Sequence, residues 1–142
     1  LEALVVRRLE LLFDGKLALS WACEADFEEL GASKEDGDSL IDAIRQLDGV
    51  EIAVMLREQG PIVRGSIRSK TDRDVAAIAA QMNGGGHKAA AGFTIHGKLP
   101  EARAIVEGLV AESFAEQPKA SMTTDAEVTA TTAFTRIRED ML

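Results

Sequence analysis

Residues 64–93 read RGSIRSKTDRDVAAIAAQMNGGGHKAAAGF, and this stretch predicts the fold more clearly than any other part of the 142-residue chain. It opens inside a run, Ile62–Ser69, in which apolar and polar side chains alternate, a period that predicts a β-strand. From Thr71 the apolar residues follow a helical period, and three glycines come next. A strand is then predicted at residues 93–96. This order predicts a helix packed against neighbouring strands.

The alternation in the first strand separates an apolar face from a polar one. Val63, Gly65 and Ile67 share one face, whereas the other carries Arg64, Ser66 and Arg68. Same-face residues lie about 6.5–7 Å apart, so the second set forms a short polar row. Such arginines can clamp a phosphate through charge-assisted hydrogen bonds of about 1.5–3 kcal/mol each. The competing interpretation is a solvated strand face whose arginines pair with acidic neighbours.

The glycine run is the sharpest local signal. The lack of side chains at Gly84, Gly85 and Gly86 lets backbone N–H groups approach a bound anion closely and converge on it. His87 and Lys88 follow directly and add donors and positive charge. The run matches neither a dinucleotide-binding loop, which lies between a strand and a helix, nor a Walker loop. A simple turn after a helix is the alternative interpretation.

The remaining elements complete a mixed α/β pattern. Helical spacing is found in residues 1–13, after a capping box from Ser33 to Asp36, after a second box from Thr71 to Asp74, and from Pro100 onward. The apolar positions of these helices, including Leu47 and Ile105, predict buried faces. Alternation predicts further strands at residues 16–23 and 50–56. We therefore expect a single α/β domain with a mixed sheet of about four to five strands and helices packed against it.

Composition narrows the class of function. The formal net charge is −8, which disfavours a protein that coats nucleic acid through many basic residues. Residues 57–88 nevertheless hold six Lys or Arg and three Asp or Glu, which indicates a focused anion site. One cysteine and the lack of a long apolar run predict a cytoplasmic protein with no membrane association. The two histidines have no acidic or cysteine cluster at ligand spacing, so neither a metal site nor catalytic residues are predicted.

At this point the motifs resemble a known family. Residues 64–70, the pairs Asp74-Val75 and Ile78-Ala79, and residues 83–93 are similar to the DHH-associated C-terminal domain. That domain follows the catalytic DHH domain in oligoribonuclease/pAp phosphatases of the nano-RNase type, cyclic di-AMP phosphodiesterases and RecJ exonucleases. The resemblance covers residues 16–114, and the strand at residues 66–70 is most like the nano-RNase type. Asn83 stands where the family commonly has the first of four glycines, and asparagine tolerates left-handed backbone geometry.

The resemblance implies how the chain is divided and what it binds. Residues 1–15 would be a linker helix from an upstream catalytic domain, residues 16–116 the substrate-binding domain, and residues 117–142 a C-terminal tail. No Asp-His-His motif is present, so catalysis and the divalent metal, expected to be manganese, belong to that upstream domain. The implied partners are this DHH domain, a nucleotide or short single-stranded oligonucleotide, and possible copies of the chain in a homodimer.

The family's binding residues carry over to positions that match its motifs. Ser66 and Arg68 would contact phosphate or sugar, and His87 would contact the substrate phosphate near the metals. Residues 84–86 would offer backbone donors, and Lys70 and Lys88 are weaker candidates.

Two other classes of function stay open. One is a nucleic-acid-binding module of a RecJ-like exonuclease, or the corresponding part of a cyclic di-AMP phosphodiesterase. Only 4% of the residues are aromatic, which disfavours a stacking platform for single strands. The other is a structural or dimerising domain whose glycine run is only a turn. Alanyl-tRNA synthetase also ends in a related domain, but its glycine loop continues with arginine and proline rather than His-Lys.

Overall fold

The computed structural model describes residues 2–26 and 34–116, with side chains described for residues 3–26 and 40–116. The side chains of the predicted capping box from Ser33 to Asp36, and the predicted tail at residues 117–142, lie outside this part. In chain order the elements are α1 (Glu2–Arg7), β1 (Glu10–Leu12), β2 (Leu17–Ala22), α2 (Lys34–Arg45), β3 (Ile52–Gln59), β4 (Ile62–Ser69), α3 (Val75–Ala80), β5 (Gly85–His87), β6 (Ala90–His96) and α4 (Leu99–Ala115).

The strands form one sheet in the order β1-β2-β3-β4-β6-β5. β2 and β3 are parallel, and every other neighbouring pair is antiparallel. The predicted mixed α/β class is confirmed. The sheet has six strands rather than four or five because β1 and β5 hold three residues each, too few for alternation to reveal them.

Helices cover the two faces of the sheet unequally. On the first face α3 and α4 bury a core that includes Val54, Leu56 and Ile67. On the second face α1 and α2 bury a smaller core, which includes Ala53 and Met55 of β3. β3 therefore contributes apolar side chains in both directions, as a central strand buried on both faces does. No residue of β4, β5 or β6 belongs to the second core of the described residues.

The prediction of one helix over residues 1–13 is wrong in its second half. α1 ends at Arg7, and Glu10–Leu12 instead pairs with β2, with Glu10 opposite Leu19. Phe13, Asp14 and Gly15 all have positive φ, at 56°, 58° and 83°, and this turn brings β1 back along β2. Strand pairing has overridden a short helical spacing. Residues 10–12 thus belong to the sheet, while the linker role of residues 1–15 stays a prediction.

Three details of the helices also differ from expectation. Leu47 and Ile105 are 40% and 45% exposed; Leu47 lies in the turn beyond the end of α2, and Ile105 lies within α4. Asp74 alone caps α3, its carboxylate accepting from the N–H groups of Ala76 and Ala77 at 3.0 and 3.2 Å. Thr71 instead closes a local turn, its hydroxyl accepting from the N–H of Arg73 at 3.4 Å.

Candidate functional site

The second face of β4, β6 and β5 is where the predicted site residues meet. The strand register arranges its side chains in three rows, which together we term the open face: Arg68, Ala90 and His87; Ser66, Gly92 and Gly85; and Arg57, Arg64 and Thr94. Neighbours within a row have Cβ positions about 4.5–5.5 Å apart. Successive rows are about 6.5–7 Å apart. The predicted polar row of β4 is therefore confirmed as one face of a strand.

The middle row has small or no side chains, so the surface is recessed there, and we term this row the floor of the open face. Ser66 has a short side chain, and Gly92 and Gly85 have none. A cavity of about 300 Å³ opens between this floor and the third row. Its lining residues are Arg57, Arg64, Gly65, Ser66, Asn83, Gly84, Gly92, Phe93 and Thr94. Small residues between basic ones thus create room for an anionic ligand.

Arg57 is a charged residue of the cavity that sequence reasoning missed. It is only 7% exposed and lies directly opposite Arg64 across the β3–β4 hairpin. Arg57 counts among the basic residues of the stretch 57–88. The sequence assigns it to no site, because its neighbours do not alternate between polar and apolar residues. The signal was present in the turn, since a hairpin that reverses at Gly60 and Pro61 places Arg57 opposite Arg64.

Arg68 is held in place at the other end of the open face. One guanidinium nitrogen, Nη1, donates to the carbonyl oxygens of Ile67 and Ala91 at 3.1 and 3.4 Å. Its Nε lies 3.6 Å from Oδ1 of Asp42, which reaches over from α2. The side chain retains 18% exposure. His87 is exposed and shares this row. Arg68 is thus oriented by the fold while remaining accessible.

Gly84, Gly85 and Gly86 differ in the space that each leaves for a side chain. A Cβ on Gly84 would lie 2.1 Å from the carbonyl oxygen of Gly92, and a Cβ on Gly86 would lie 2.6 Å from that of Ala90. Gly86 also has φ of +151°. A Cβ on Gly85 would meet nothing within 4 Å. Packing therefore explains the outer two glycines, whereas the middle one keeps the floor of the open face bare.

The glycine run also differs from the predicted anion loop. Gly85–His87 is a strand at the edge of the sheet, paired with β6. The N–H of Gly84 donates to the carbonyl of Ala79 at 2.9 Å, so the prediction of a free backbone donor is wrong at that position. Asn83 has φ of 59°, the left-handed geometry expected there. Gly84 contributes to the cavity by lacking a side chain.

The two lysines named from the sequence lie outside the three rows. Nζ of Lys70 donates to the carbonyl oxygens of Gln46 and Leu47 at 3.3 and 2.9 Å, next to the C-terminal end of α2. A cation there satisfies orphan carbonyls and complements the helix dipole. Lys88 lies in the turn between β5 and β6, where its carbonyl accepts from the N–H of Val75 at 2.9 Å.

Over residues 2–26 and 34–116, no group of three or more His, Cys, Asp or Glu lies together as a metal ion would require. His87 stands among arginine, alanine and glycine in the rows of the open face. The same stretch contains no helix long and apolar enough to cross a membrane.

Comparison with known protein families identifies the family of this chain. The model of the DHHA1 domain matches residues 14–112. The chain belongs to the DHHA1 domain family. The family resemblance of residues 16–114 is thereby confirmed, and with it the relation to DHH phosphoesterases.

A curated relative supports this assignment over part of the DHHA1 domain. The chain is 40% identical over 70 residues to the bifunctional oligoribonuclease and PAP phosphatase NrnA of Thermus thermophilus. The alignment spans 49% of this chain and 21% of that relative. The chain therefore corresponds to about a fifth of the relative's length.

Solved structures show the same fold at low identity. An exopolyphosphatase-related protein from Bacteroides fragilis matches with a TM-score of 0.73 and 23% identity, over 78% of this chain and 33% of that one. A pGpG-specific phosphodiesterase from Vibrio cholerae matches with 0.56 and 14%, over 82% and 38%. The C-Ala domain of alanyl-tRNA synthetase from Aquifex aeolicus matches with 0.52 and 16%, over 72% and 97%.

Proposed function

We propose that this DHHA1 domain binds the nucleotide phosphate of the substrate for a metal-dependent DHH phosphoesterase that hydrolyses pAp or short oligoribonucleotides. The domain grips the substrate and contributes no catalytic residue. The observation that carries the proposal is the open face, where Ser66, Arg68 and His87 lie around a floor of glycine. The partial similarity to a bifunctional oligoribonuclease and PAP phosphatase supports the choice of substrate.

The physical basis is preorganised positive charge. Arg68 already donates to two carbonyl groups, so binding loses less side-chain entropy than it would for a freely rotating arginine. A phosphate accepts charge-assisted hydrogen bonds from a guanidinium and from a hydroxyl such as that of Ser66. The bare floor at Gly85 lets the phosphate approach both groups closely. On a chain of net charge −8, this local basic face focuses the attraction of an anion.

The role of the domain in catalysis would be positioning. Holding a phosphate at a fixed place converts an encounter into a near-unimolecular reaction, and fixed donors stabilise charge on its oxygens. In this proposal the metal ions, expected to be manganese, belong to an upstream DHH domain, as the resemblance to the DHH family implies. No chemical step is assigned to the residues of this chain.

Asp42 allows a test in which the affinity for pAp should rise rather than fall. Its carboxylate lies beside Arg68 and competes with a phosphate for the same guanidinium. We expect Arg68→Ala to weaken pAp binding by about 1.5–3 kcal/mol. Asp42→Asn removes the competing charge and should strengthen binding by about two- to fivefold, a surface electrostatic effect below 1 kcal/mol. Titration of pAp into the chain at low salt, followed by amide chemical shifts, measures both.

A control variant and the positions of the chemical-shift changes test the proposal further. Lys16→Ala removes an exposed positive charge away from the open face and should leave pAp binding unchanged. Shifts at Ser66, Gly85 and His87 support the proposal, whereas shifts confined to other regions, or no binding, contradict it. Tighter binding of cyclic di-AMP would favour the corresponding phosphodiesterase. Affinity that rises steeply with strand length and falls steeply with salt would favour a RecJ-like module.

A further inference from the structure

A second arginine approaches Arg68 from α2. The helix packs against β4 as well as β3, and its last turn carries Arg45. Nη2 of Arg45 lies 3.6 Å from Oδ1 of Asp42, and the same carboxylate oxygen lies 3.6 Å from Nε of Arg68. The two guanidinium nitrogens are therefore at most about 7 Å apart, and they face one point from two different elements.

The carboxylate of Asp42 occupies that point without a hydrogen bond to either arginine. Both contacts are 3.6 Å long, which is beyond the length of a hydrogen bond, so they are ion pairs only. The Asp42 side chain is 55% exposed, and solvent keeps such ion pairs weak. Two guanidinium groups against one carboxylate leave one positive charge in excess. An anion that replaced this carboxylate would therefore break no hydrogen bond between the three residues.

The position of Arg45 is not explained by the end of its own helix. A basic residue in the last turn of a helix commonly complements the helix dipole. At α2 the ammonium of Lys70 already does so, since its Nζ donates to the carbonyl oxygens of Gln46 and Leu47 at 3.3 and 2.9 Å. Nε of Arg45 is buried and has no hydrogen-bond partner within the part of the chain that the structure describes. Buried donors normally have a partner, so the hydrogen-bonding capacity of Arg45 is unfilled in the free domain.

A phosphate suits the space between the two arginines. Charge-assisted bonds from guanidinium nitrogen to phosphate oxygen are about 2.7–2.9 Å long, so bonds to neighbouring oxygens of one phosphate span the separation between Arg45 and Arg68. Two guanidinium groups also attract a doubly charged phosphate more strongly than the single charge of Asp42. Arg68 keeps its place during the exchange, because its Nη1 donates to the carbonyl oxygens of Ile67 and Ala91.

We propose that Arg45 is a further substrate-binding residue, which contacts the same phosphate as Arg68, and that Asp42 holds the place of this phosphate in the free domain. The inference rests on the proposed function and deepens it, because it adds a residue of α2 to a site on β4, β5 and β6. When the phosphate binds, the exposed side chain of Asp42 moves aside by a change of rotamer. The phosphate then accepts from both guanidinium groups and links α2 to β4.

Calorimetric titration of pAp and of inorganic phosphate into the chain tests this role. We expect Arg45→Ala to weaken the binding of both ligands about five- to tenfold, because one of two charge-assisted contacts is lost. Arg45→Lys keeps the charge but not the planar fork, so it should recover only part of that loss. Arg103→Ala is the matched control. Arg103 is 26% exposed, as Arg45 is, but it lies on α4, and its loss should leave both affinities unchanged.

A double-mutant cycle shows whether the two arginines act on one phosphate. In that case the loss of pAp affinity caused by Arg45→Ala should be at least about threefold smaller in an Arg68→Ala background than in the parent, because residues that share a ligand group are coupled. Equal losses in the two backgrounds would show that Arg45 acts only through its charge at a distance. That result would overturn the proposal.

Asp42→Asn distinguishes a direct contact of Arg45 from an indirect one. If Arg45 only drew the carboxylate of Asp42 away from Arg68, Arg45→Ala would have no effect once that carboxylate is gone. We expect instead that Arg45→Ala still weakens pAp binding about five- to tenfold in the Asp42→Asn background. Disappearance of the effect would make Arg45 a positioning residue and would contradict the direct contact.

A spectroscopic measurement on the parent chain does not depend on the folding of any variant. As pAp is added, the side-chain Nε–H signals of Arg45 and Arg68 should shift along the same saturation curve, and that of Arg103 should stay in place. If pAp binds and shifts the signal of Arg68 but not that of Arg45, the contact of Arg45 is wrong and the proposed function stands. If no nucleotide binds the chain, both are wrong.

Discussion

The two halves of the sheet differ in how many of their faces are covered. In the covered half, β2 and β3 bury alternate side chains under α3 and α4 on one face and under α1 and α2 on the other. In the open half, β4, β6 and β5 bury one face in the same way, whereas the second face adds no residue to the second core of the described residues and is approached by Asp42 of α2 at Arg68. This second face carries arginine, serine, threonine, histidine and glycine.

The unequal cover of the two sheet faces explains why the site lies where it does. A strand buried on both faces needs apolar residues throughout, and β3 has them from Ile52 to Leu56. A strand covered on one face can use every second position for other purposes without loss of core packing. β4 does so, with Val63 and Ile67 in the core and Arg64 and Arg68 outside. Stability and binding are thus divided between the two faces of the same strand.

The largest expected effect separates the covered face from the open one. Leu56 is fully buried on the first face, and Ser66 lies on the floor of the open face. Leu56→Ala should lower the free energy of unfolding by about 2–5 kcal/mol through lost burial and a cavity. Ser66→Ala should change it by less than about 0.5 kcal/mol. Urea unfolding measures both, and similar losses would remove the distinction between the two faces.

A second comparison lies within the glycine run itself. Gly84→Ala places a methyl group against the carbonyl of Gly92, and we expect a loss of about 1–3 kcal/mol in the free energy of unfolding. Gly85→Ala meets no atom and should be neutral for stability, within about 0.5 kcal/mol. The same Gly85→Ala change should weaken pAp binding severalfold, because its methyl group stands on the floor. Thermal unfolding measures the stability of both variants, and pAp titration measures their binding. An equal loss of stability in Gly85→Ala and Gly84→Ala would contradict this prediction.

The smallest expected effect concerns how α1 is held on the covered half. Asp26 accepts from Nη1 of Arg8 at 2.7 Å and from the N–H of Cys23 at 2.7 Å, and the Arg8 guanidinium lies 3.7 Å from the ring of Trp21. These hydrogen bonds, with that of Arg8 the larger influence, lower the pKa of Asp26 from 3.8 to about 2. Because the folded pKa is depressed, this stabilisation is present above the unfolded value and is lost as the pH falls from about 4 to about 2.

Asp26→Asn tests that dependence. We expect it to lower the free energy of unfolding at neutral pH by about 0.5–1.5 kcal/mol, since it replaces charge-assisted hydrogen bonds with weaker neutral ones. The gap between parent and variant should narrow as the pH falls below about 4. Urea unfolding at a series of pH values measures this, and a constant gap would show that the ion pair is not the cause. Glu10→Gln, at the more exposed Arg103 pair, is the control and should have a smaller effect.

Much of the candidate site was accessible from the sequence. Period-two alternation placed Arg64, Ser66 and Arg68 on one strand face, and the register confirms it. Asn83 was expected to tolerate left-handed geometry and has it. The family resemblance named the same stretch. The cavity residue Arg57 was missed, and Lys70 was named although its ammonium lies at the end of α2, because both depend on which segments lie side by side.

The α/β class, the polar face of β4 and the basic stretch were predictable from the sequence, because they follow from side-chain period and charge along one segment. The assembled sheet was needed to show that residues 10–12 form an edge strand, that Gly84 and Gly86 pack against β6, and that Arg57 lies opposite Arg64. Each of these depends on contacts between segments distant in sequence or on the register of a pair of strands. Such contacts leave no mark on local periodicity, since the same residues would be compatible with another pairing until the whole sheet is assembled.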